Sequence, residues 1–208
     1  MIIVHHLENS RSQRILWMLE EVGLPYEVKR YERNKATMLA PPELKRIHPL
    51  GKSPVIEDTE TGKVIAETGN IVEYLVAKAG KLGAPDDLDA ALRYRFWLHY
   101  AEGSLMPPLL VKLVLTRVPI FGKMAQKRIQ PMIDVHLDYI ESELSQRPWF
   151  AGETMTGADI MMSFPLEAAR SRVGLDASRP ATIAWLDKVH ARPAYERALA
   201  AGGPYAYA

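Results

Sequence analysis

Lys52-Ser53-Pro54 and Glu67-Thr68 are the residues whose types and spacing point to binding chemistry. Pro54 is followed by the apolar pair Val55-Ile56, a polar turn through Gly62 and a second short apolar run that ends at Glu67-Thr68-Gly69-Asn70. From Ile71 the apolar residues Ile71, Val72, Leu75 and Val76 take helical spacing. The order is therefore loop, strand, turn, strand, helix start. A proline that opens a strand has no N–H to donate, so the backbone groups of Ser53 must be offered elsewhere. A helix that begins at Glu67-Thr68 presents free N–H groups and a positive dipole end, which suits a carboxylate. The loop before Pro54 and the helix start after Ile65 could thus hold the two ends of one extended, anionic, peptide-like ligand.

Other chemistries find little support. The 208 residues include no cysteine, which removes disulfides, thiolate metal sites and a Cys-x-x-Cys redox pair together. The six histidines show no His-x-x-x-His spacing, so no metal is expected. The chain has no GxGxxG, no Walker-type GxxxxGK and no G-x-S-x-G. A net charge of +1 favours neither nucleic acid nor an anionic membrane. Lys123, Lys127 and Arg128 lie along a helix and read as a solvated face. The opening MIIVHHLENS has an apolar run too short for a signal peptide, and no stretch reaches 18 uninterrupted apolar residues, so the expectation is a soluble cytoplasmic protein.

The elements that must position these residues follow from periodicity. Ile2-Ile3-Val4 is a short β-rich run, and His5 to Arg11 reads as the loop that leaves it. Ile15, Leu16, Met18, Leu19 and Val22 form a helical stripe, which Gly23 and Pro25 stop. Alternation over Tyr26 to Tyr31 predicts a half-exposed strand. A loop with Pro41-Pro42 and a short helix leads into the two strands and helix already described. This is a small α/β sheet domain. Turn formers from Gly80 mark a boundary, and helical spacing dominates beyond it. One long helix runs through Leu92, Phe96, Leu98 and Leu105, to be kinked or divided at Pro107-Pro108. A second carries Ile129 to Leu144 with Pro131 inside. Thr156-Gly157-Ala158-Asp159 forms a capping-box-like start, and further helices follow Pro180 and Pro193.

The Ser53-Pro54 loop, the Glu67-Thr68 pair and the helical second half together resemble the soluble glutathione transferases, in particular their serine-type bacterial or theta-like branch. The resemblance spans essentially the whole chain. It implies a thioredoxin-like α/β N-terminal domain at 1–80, a linker at 81–89 and an all-α C-terminal domain at 90–208 that carries the electrophile site. In that family the proline is cis and the residue before it pairs its backbone with the cysteinyl part of glutathione. Ser53 and Pro54 take those places here. Glu67 and Thr68 match the pair that holds the γ-glutamyl end. Lys52 matches a basic position that meets the glycyl carboxylate, against a plain reading as a solvated lysine; His48 could serve likewise or merely pack. The thiol-activating group is expected where the first strand hands over to the first helix, which makes Ser10, Ser12 and Asn9 the catalytic candidates, with Ser10 the best match. A hydroxyl that donates to sulphur, helped by the helix dipole, favours thiolate over thiol. Yet Ser10-x-x-Gln13 is itself a capping box. Tyr100, Ser104, Met106 and Phe121, with Trp97 beside them, are candidate walls for a small hydrophobic electrophile, although helically spaced aromatics and Met are commonly core. Glu102 is a candidate charge near the glutathione amine. The resemblance implies a cytoplasmic homodimeric detoxification enzyme, with glutathione as co-substrate, no metal, and peroxide reduction as a further activity. Two alternatives remain: a glutathione-dependent disulfide-bond oxidoreductase using the same pocket, and a non-catalytic glutathione-binding interaction or stress protein.

Overall fold

The structure, a computed structural model, describes residues 1–119 and 121–207. Contacts divide the chain into two units, Met1–Gly83 with His190–Ala206, and Ala84–Val189 with Tyr207.

The first unit is built on a four-stranded mixed sheet in the order β2-β1-β3-β4. Strand β1 (Ile2–Leu7) leads to helix α1 (Gln13–Val22), then β2 (Tyr26–Tyr31) and the short helix α2 (Leu44–Ile47). β3 (Val55–Asp58), β4 (Lys63–Ala66) and helix α3 (Thr68–Ala79) follow. β2 runs parallel to β1, and β3 antiparallel to both β1 and β4. α1 ends where expected, with Gly23 in the left-handed region at φ 77°, a conformation that costs glycine nothing. β1 is longer than its apolar run suggests. His5 and His6 read as loop because they are polar, but both are buried and partnered on the sheet: the His5 ring reaches Tyr31 Oη at 2.8 Å and Glu57 Oε1 at 2.7 Å.

The second unit is all helical within its described residues: α4 (Leu88–Tyr100), α5 (Met106–Leu115), α6 (Gly122–Leu144), α7 (Gly157–Arg172) and α8 (Pro180–His190). A π-helical turn, Ala101–Leu105, joins α4 to α5. Pro107 and Pro108 remove the N–H groups that would bond the carbonyls of Gly103 and Ser104. The helix widens there, and Met106 N–H reaches back to the Ala101 carbonyl. α7 opens on the Thr156–Asp159 box: Asp159 Oδ2 accepts from Thr156 N–H at 2.8 Å and Oδ1 from Phe150 N–H at 3.0 Å. No described helix is long and apolar enough to cross a membrane.

The last helix, α9 (Pro193–Gly202), groups with the first unit rather than with the helices that precede it. The reason lies in α1, where every residue from Gln13 to Leu19 is buried. A helix buried on every face, the polar Gln13 and Arg14 included, needs cover on the side turned away from its sheet. α9 supplies that cover. Tyr195 packs edge-on to Trp17 at 5.7 Å, and Arg192 and Arg197 pair with Glu21 and Glu20.

Candidate active site

The strand register decides which loops meet. Val55, at the start of β3, pairs with His5 near the end of β1 and with Ala66 at the end of β4. Three segments therefore leave the sheet at the same end: the β1–α1 loop, the Ser53-Pro54 entry to β3, and the β4–α3 junction at Glu67-Thr68. Adjacent strands lie about 4.8 Å apart, so the row spans about 10 Å, close to the reach of an extended tripeptide.

In the β1–α1 loop the hydroxyls of Ser10 and Ser12 lie 2.7 Å apart and both residues are buried. Ser12 Oγ is also 2.9 Å from His6 Nδ1 and accepts from Leu7 N–H at 3.2 Å. Ser10 Oγ accepts from Ser12 N–H at 3.2 Å. Burial, with the Arg30 charge adding to it, pushes the His6 pKa down to about 4. The expected Ser10-x-x-Gln13 capping box does not form. The helix is entered two residues later, with Ser12 at the cap position, and its side chain makes no capping bond because it is engaged by His6 and Ser10. Gln13 is buried with its amide unbonded, its oxygen turned to the space beside Gly202. Asn9 sits at φ 48°, in the left-handed region that asparagine tolerates. Its side-chain oxygen accepts from Ala206 N–H at 2.7 Å, so it ties down the chain that follows α9.

The other two segments are organised differently. Gly51, at φ 58°, closes a turn on the His48 carbonyl at 2.9 Å, and His48 Nδ1 accepts from Leu50 N–H at 3.4 Å. His48 thus shapes the approach to the loop. The Ser53–Pro54 bond is cis. Ser53 Oγ donates to the His5 carbonyl at 2.8 Å and accepts from Leu7 N–H at 3.2 Å, fastening the loop to β1 through the side chain alone. At the helix start, Glu67 occupies the cap position at φ 67° with no side-chain capping bond. The N–H groups of Thr68, Gly69 and Asn70 have no carbonyl of the preceding turn to reach. Glu67 and Lys52 are exposed, and neither charge has a protein partner among the described residues.

The residues proposed for an electrophile fall in the helical unit. Tyr100 and Met106 are buried in its core; the Tyr100 hydroxyl meets His136 Nδ1, and burial raises its pKa to about 12. Trp97 stacks on Tyr139 at 5.4 Å. Ser104 and Glu102 are half-buried on the π turn, whereas Phe121 is 68% exposed just before α6. Among the described residues no group of three His, Asp or Glu side chains could hold a metal. Sequence reasoning missed His6; the adjacent His5-His6 pair at the end of an apolar run was the available signal.

Comparison with known proteins gives one consistent picture. The family profile for the glutathione S-transferase N-terminal domain matches residues 10–78, and that for the C-terminal domain matches residues 105–193. Glutathione S-transferase 3 of Schizosaccharomyces pombe is 37% identical, with 93% of this chain and 85% of that protein aligned. A crystal structure of a glutathione S-transferase from Actinobacillus pleuropneumoniae superposes with a TM-score of 0.85 at 33% identity, covering 96% of this chain and 92% of that one. A glutathione transferase family member from Pseudomonas fluorescens, solved with two glutathione molecules bound, gives a TM-score of 0.80 at 28% identity over 95% and 92% of the two chains. The chain belongs to the glutathione S-transferase family and is a glutathione transferase.

Proposed function

We propose that this enzyme binds glutathione along the row of three segments and presents it as a thiolate to small hydrophobic electrophiles. The observation that carries this reading is the convergence, at one end of one sheet, of a hydroxyl pair, a cis-proline loop and a helix start with an unpaired carboxylate. Glu67 takes the γ-glutamyl amine, while Thr68 and the free N–H groups of α3 take the α-carboxylate. The Ser53 backbone pairs with the cysteinyl residue beside Pro54, and Lys52 meets the glycyl carboxylate. The sulphur then lies at the β1–α1 loop, where Ser10 donates to it. Ser12 Oγ is shared by His6, Leu7 and Ser10, and the Asn9 side chain is anchored on Ala206, whereas the Ser10 side chain meets Ser12 alone among the described residues, which supports Ser10 as the donor. Catalysis comes from thiol ionisation and alignment. The electrophile is met by Ser104 and Phe121, which keep accessible surface, while Tyr100 and Met106 hold the π turn in shape.

The same reading carries a cytoplasmic homodimer acting in detoxification. Support for the dimer comes from an exposed apolar strip on the helical unit, formed by Leu92 and Phe96 of α4 and Val135 and Tyr139 of α6. A second reading, reduction of small disulfides with glutathione, is favoured by the two glutathione molecules held by the Pseudomonas fluorescens relative. Rates with a chloronitrobenzene and with a small disulfide separate the two.

The deciding experiment is Ser10→Ala with bound glutathione, followed through the ultraviolet absorbance of the thiolate. A free thiol has a pKa of roughly 8.5, and loss of a charge-assisted hydrogen bond of about 1.5–3 kcal/mol should raise the bound value by about one to two units. Turnover at neutral pH should fall by about tenfold or more, as the thiolate fraction does. A bound thiol whose pKa is unchanged by the substitution removes Ser10 from the mechanism. Absence of binding heat with glutathione removes the whole reading.

A further inference from the structure

We propose that the tip of the α5–α6 hairpin docks on the surface of an anionic phospholipid bilayer.

The charge of this region is hidden in the total for the chain. From Gly103 to Ile133 the sequence carries Lys112, Arg117, Lys123, Lys127 and Arg128 and no Asp or Glu, a local charge of +5 in a chain of +1. The rest of the molecule is therefore net acidic, and the cations are gathered on one element. The fold makes that element a closed hairpin. Lys112 Nζ donates to Gln130 Oε1, which ties α5 to α6 below the turn. Gly122 lies so close to the Leu115 carbonyl that a Cβ there would collide with its oxygen, so the end of α5 meets the start of α6. Beyond these contacts the side chains of Arg117, Lys123, Lys127 and Arg128 are exposed, and none has a protein partner among the described residues. The nearest acids further along α6, Asp134 and Asp138, pair with Arg179.

The same tip exposes apolar side chains that the core does not use. Val114, Val118 and Met124 are 55%, 41% and 58% exposed, and Leu110 and Val111 continue the surface down α5. Exposed apolar side chains rimmed by unpaired cations call for an occupant that is anionic and apolar at once. A nucleic acid would meet the cations and leave the aliphatic groups unmatched. A second copy, tip against tip, would cover the aliphatic groups and oppose like charges. An anionic bilayer answers both: its phosphates attract Lys and Arg, while the valines and Met124 enter the boundary between headgroups and acyl chains. The apolar strip at Val135 begins 11 residues after Met124, about 16 Å along α6, so the two surfaces do not compete. The inference does not depend on the proposed thiol chemistry.

Co-sedimentation of the full chain with vesicles tests it. The protein should bind vesicles of equal parts phosphatidylcholine and phosphatidylglycerol, and should leave vesicles of phosphatidylcholine alone in suspension unbound. Each cation near such a surface is worth about a fivefold change in affinity, so Lys123→Ala, Lys127→Ala and Arg128→Ala together should weaken binding about 100-fold. Salt at about 0.5 M should act in the same direction, because the Debye length falls to about 4 Å. Val118→Ser with Met124→Ser keeps every charge and should weaken binding about tenfold. Turnover of glutathione with a soluble chloronitrobenzene should keep its wild-type value in both variants, a check that they fold. Absence of binding to the anionic vesicles overturns the inference, as does equal binding to the neutral ones or an unweakened cation variant. A loss in the cation variant with none in Val118→Ser, Met124→Ser means that the tip takes any polyanion, and overturns it too. If the substitutions instead change the mass of the protein in ultracentrifugation without vesicles, the tip joins copies of this chain and the inference falls. None of these outcomes bears on glutathione binding, which calorimetry reads separately.

Discussion

Two ends of the same row treat their polar groups in opposite ways. At the β1–α1 loop the side chains of His6, Ser10 and Ser12 are buried and bonded to one another. At the β3 entry and the α3 start, Lys52 and Glu67 stand exposed with no protein partner among the described residues. The difference matches the role proposed for each end. A group that grips a ligand's fixed charge gains by being available, since any internal partner would have to be displaced. A group that tunes an ionisation gains by being held, because its effect depends on the position of one proton. Buried networks also carry their own vulnerability, as an unmet polar group there is expensive.

The largest expected effect tests the buried end. The His6 pKa is pushed from 6.5 down to about 4 by burial, helped by Arg30. Between those values the unfolded chain takes a proton at this position that the folded chain refuses. The stability from this group is complete above pH 6.5 and is lost as pH falls through about 4, a total of about 3 kcal/mol. Denaturation midpoints of wild type and His6→Phe across that window should converge as pH falls. Parallel curves would mean that His6 is not held neutral and that the buried end is looser than the contrast requires.

At the open end, Glu67→Ala removes a charge that the protein itself does not use. Glutathione should bind more weakly by about 2 kcal/mol, or about 30-fold, as expected for a hydrogen bond to a charged group. The loss should fall on KM for glutathione, with folding stability nearly unchanged. A loss of stability in place of affinity would show that Glu67 belongs to the α3 cap.

Much of this row is legible in the residues themselves, because strands and helix starts announce themselves locally. The β3–β4–α3 order follows from Pro54, Gly62 and the helical spacing after Ile71, and the left-handed stop at Gly23 is written as Gly-x-Pro. What stays hidden depends on partners far away in sequence. His6 reads as loop because a polar residue at the end of an apolar run is ordinarily exposed; its burial is made tolerable by Ser12 Oγ, 2.9 Å from its ring across the turn into α1. Ser10-x-x-Gln13 satisfies the capping pattern, but Gln13 turns into the interior beside α9 and the hydroxyls find other partners. Likewise α9 has ordinary helical periodicity, and nothing in that periodicity says that its core is α1.

Asn9 shares the β1–α1 loop with the buried hydroxyls. It holds a left-handed backbone and the hydrogen bond from Ala206 N–H. Asn9→Ala should cost about 1 kcal/mol of stability, read as a fall in Tm, through the lost bond and the unfavourable φ. Asn9→Gly, which accepts that φ, should recover part of it. Equal losses in both would place the cost on the side-chain bond alone.

Lys52 is the weakest lever and the most informative about mechanism. Its ammonium is exposed and flexible, so a pairing with the glycyl carboxylate is worth at most about 1 kcal/mol and is screened by salt. Lys52→Ala should raise KM for glutathione about two- to fivefold at low ionic strength and close to nothing at about 0.5 M salt. Glu67 should behave differently at the same salt concentrations. In the proposed pose the γ-glutamyl carboxylate, held on the N–H groups of α3, fixes the amine directly beside Glu67, so the Glu67→Ala loss is that of a short-range hydrogen bond and should persist when screening is strong. If both variants lose their effect together in salt, the two charges act only as a diffuse field. If Glu67 alone keeps its effect, the helix start is where the tripeptide is fixed, and Lys52 only guides its other end into place.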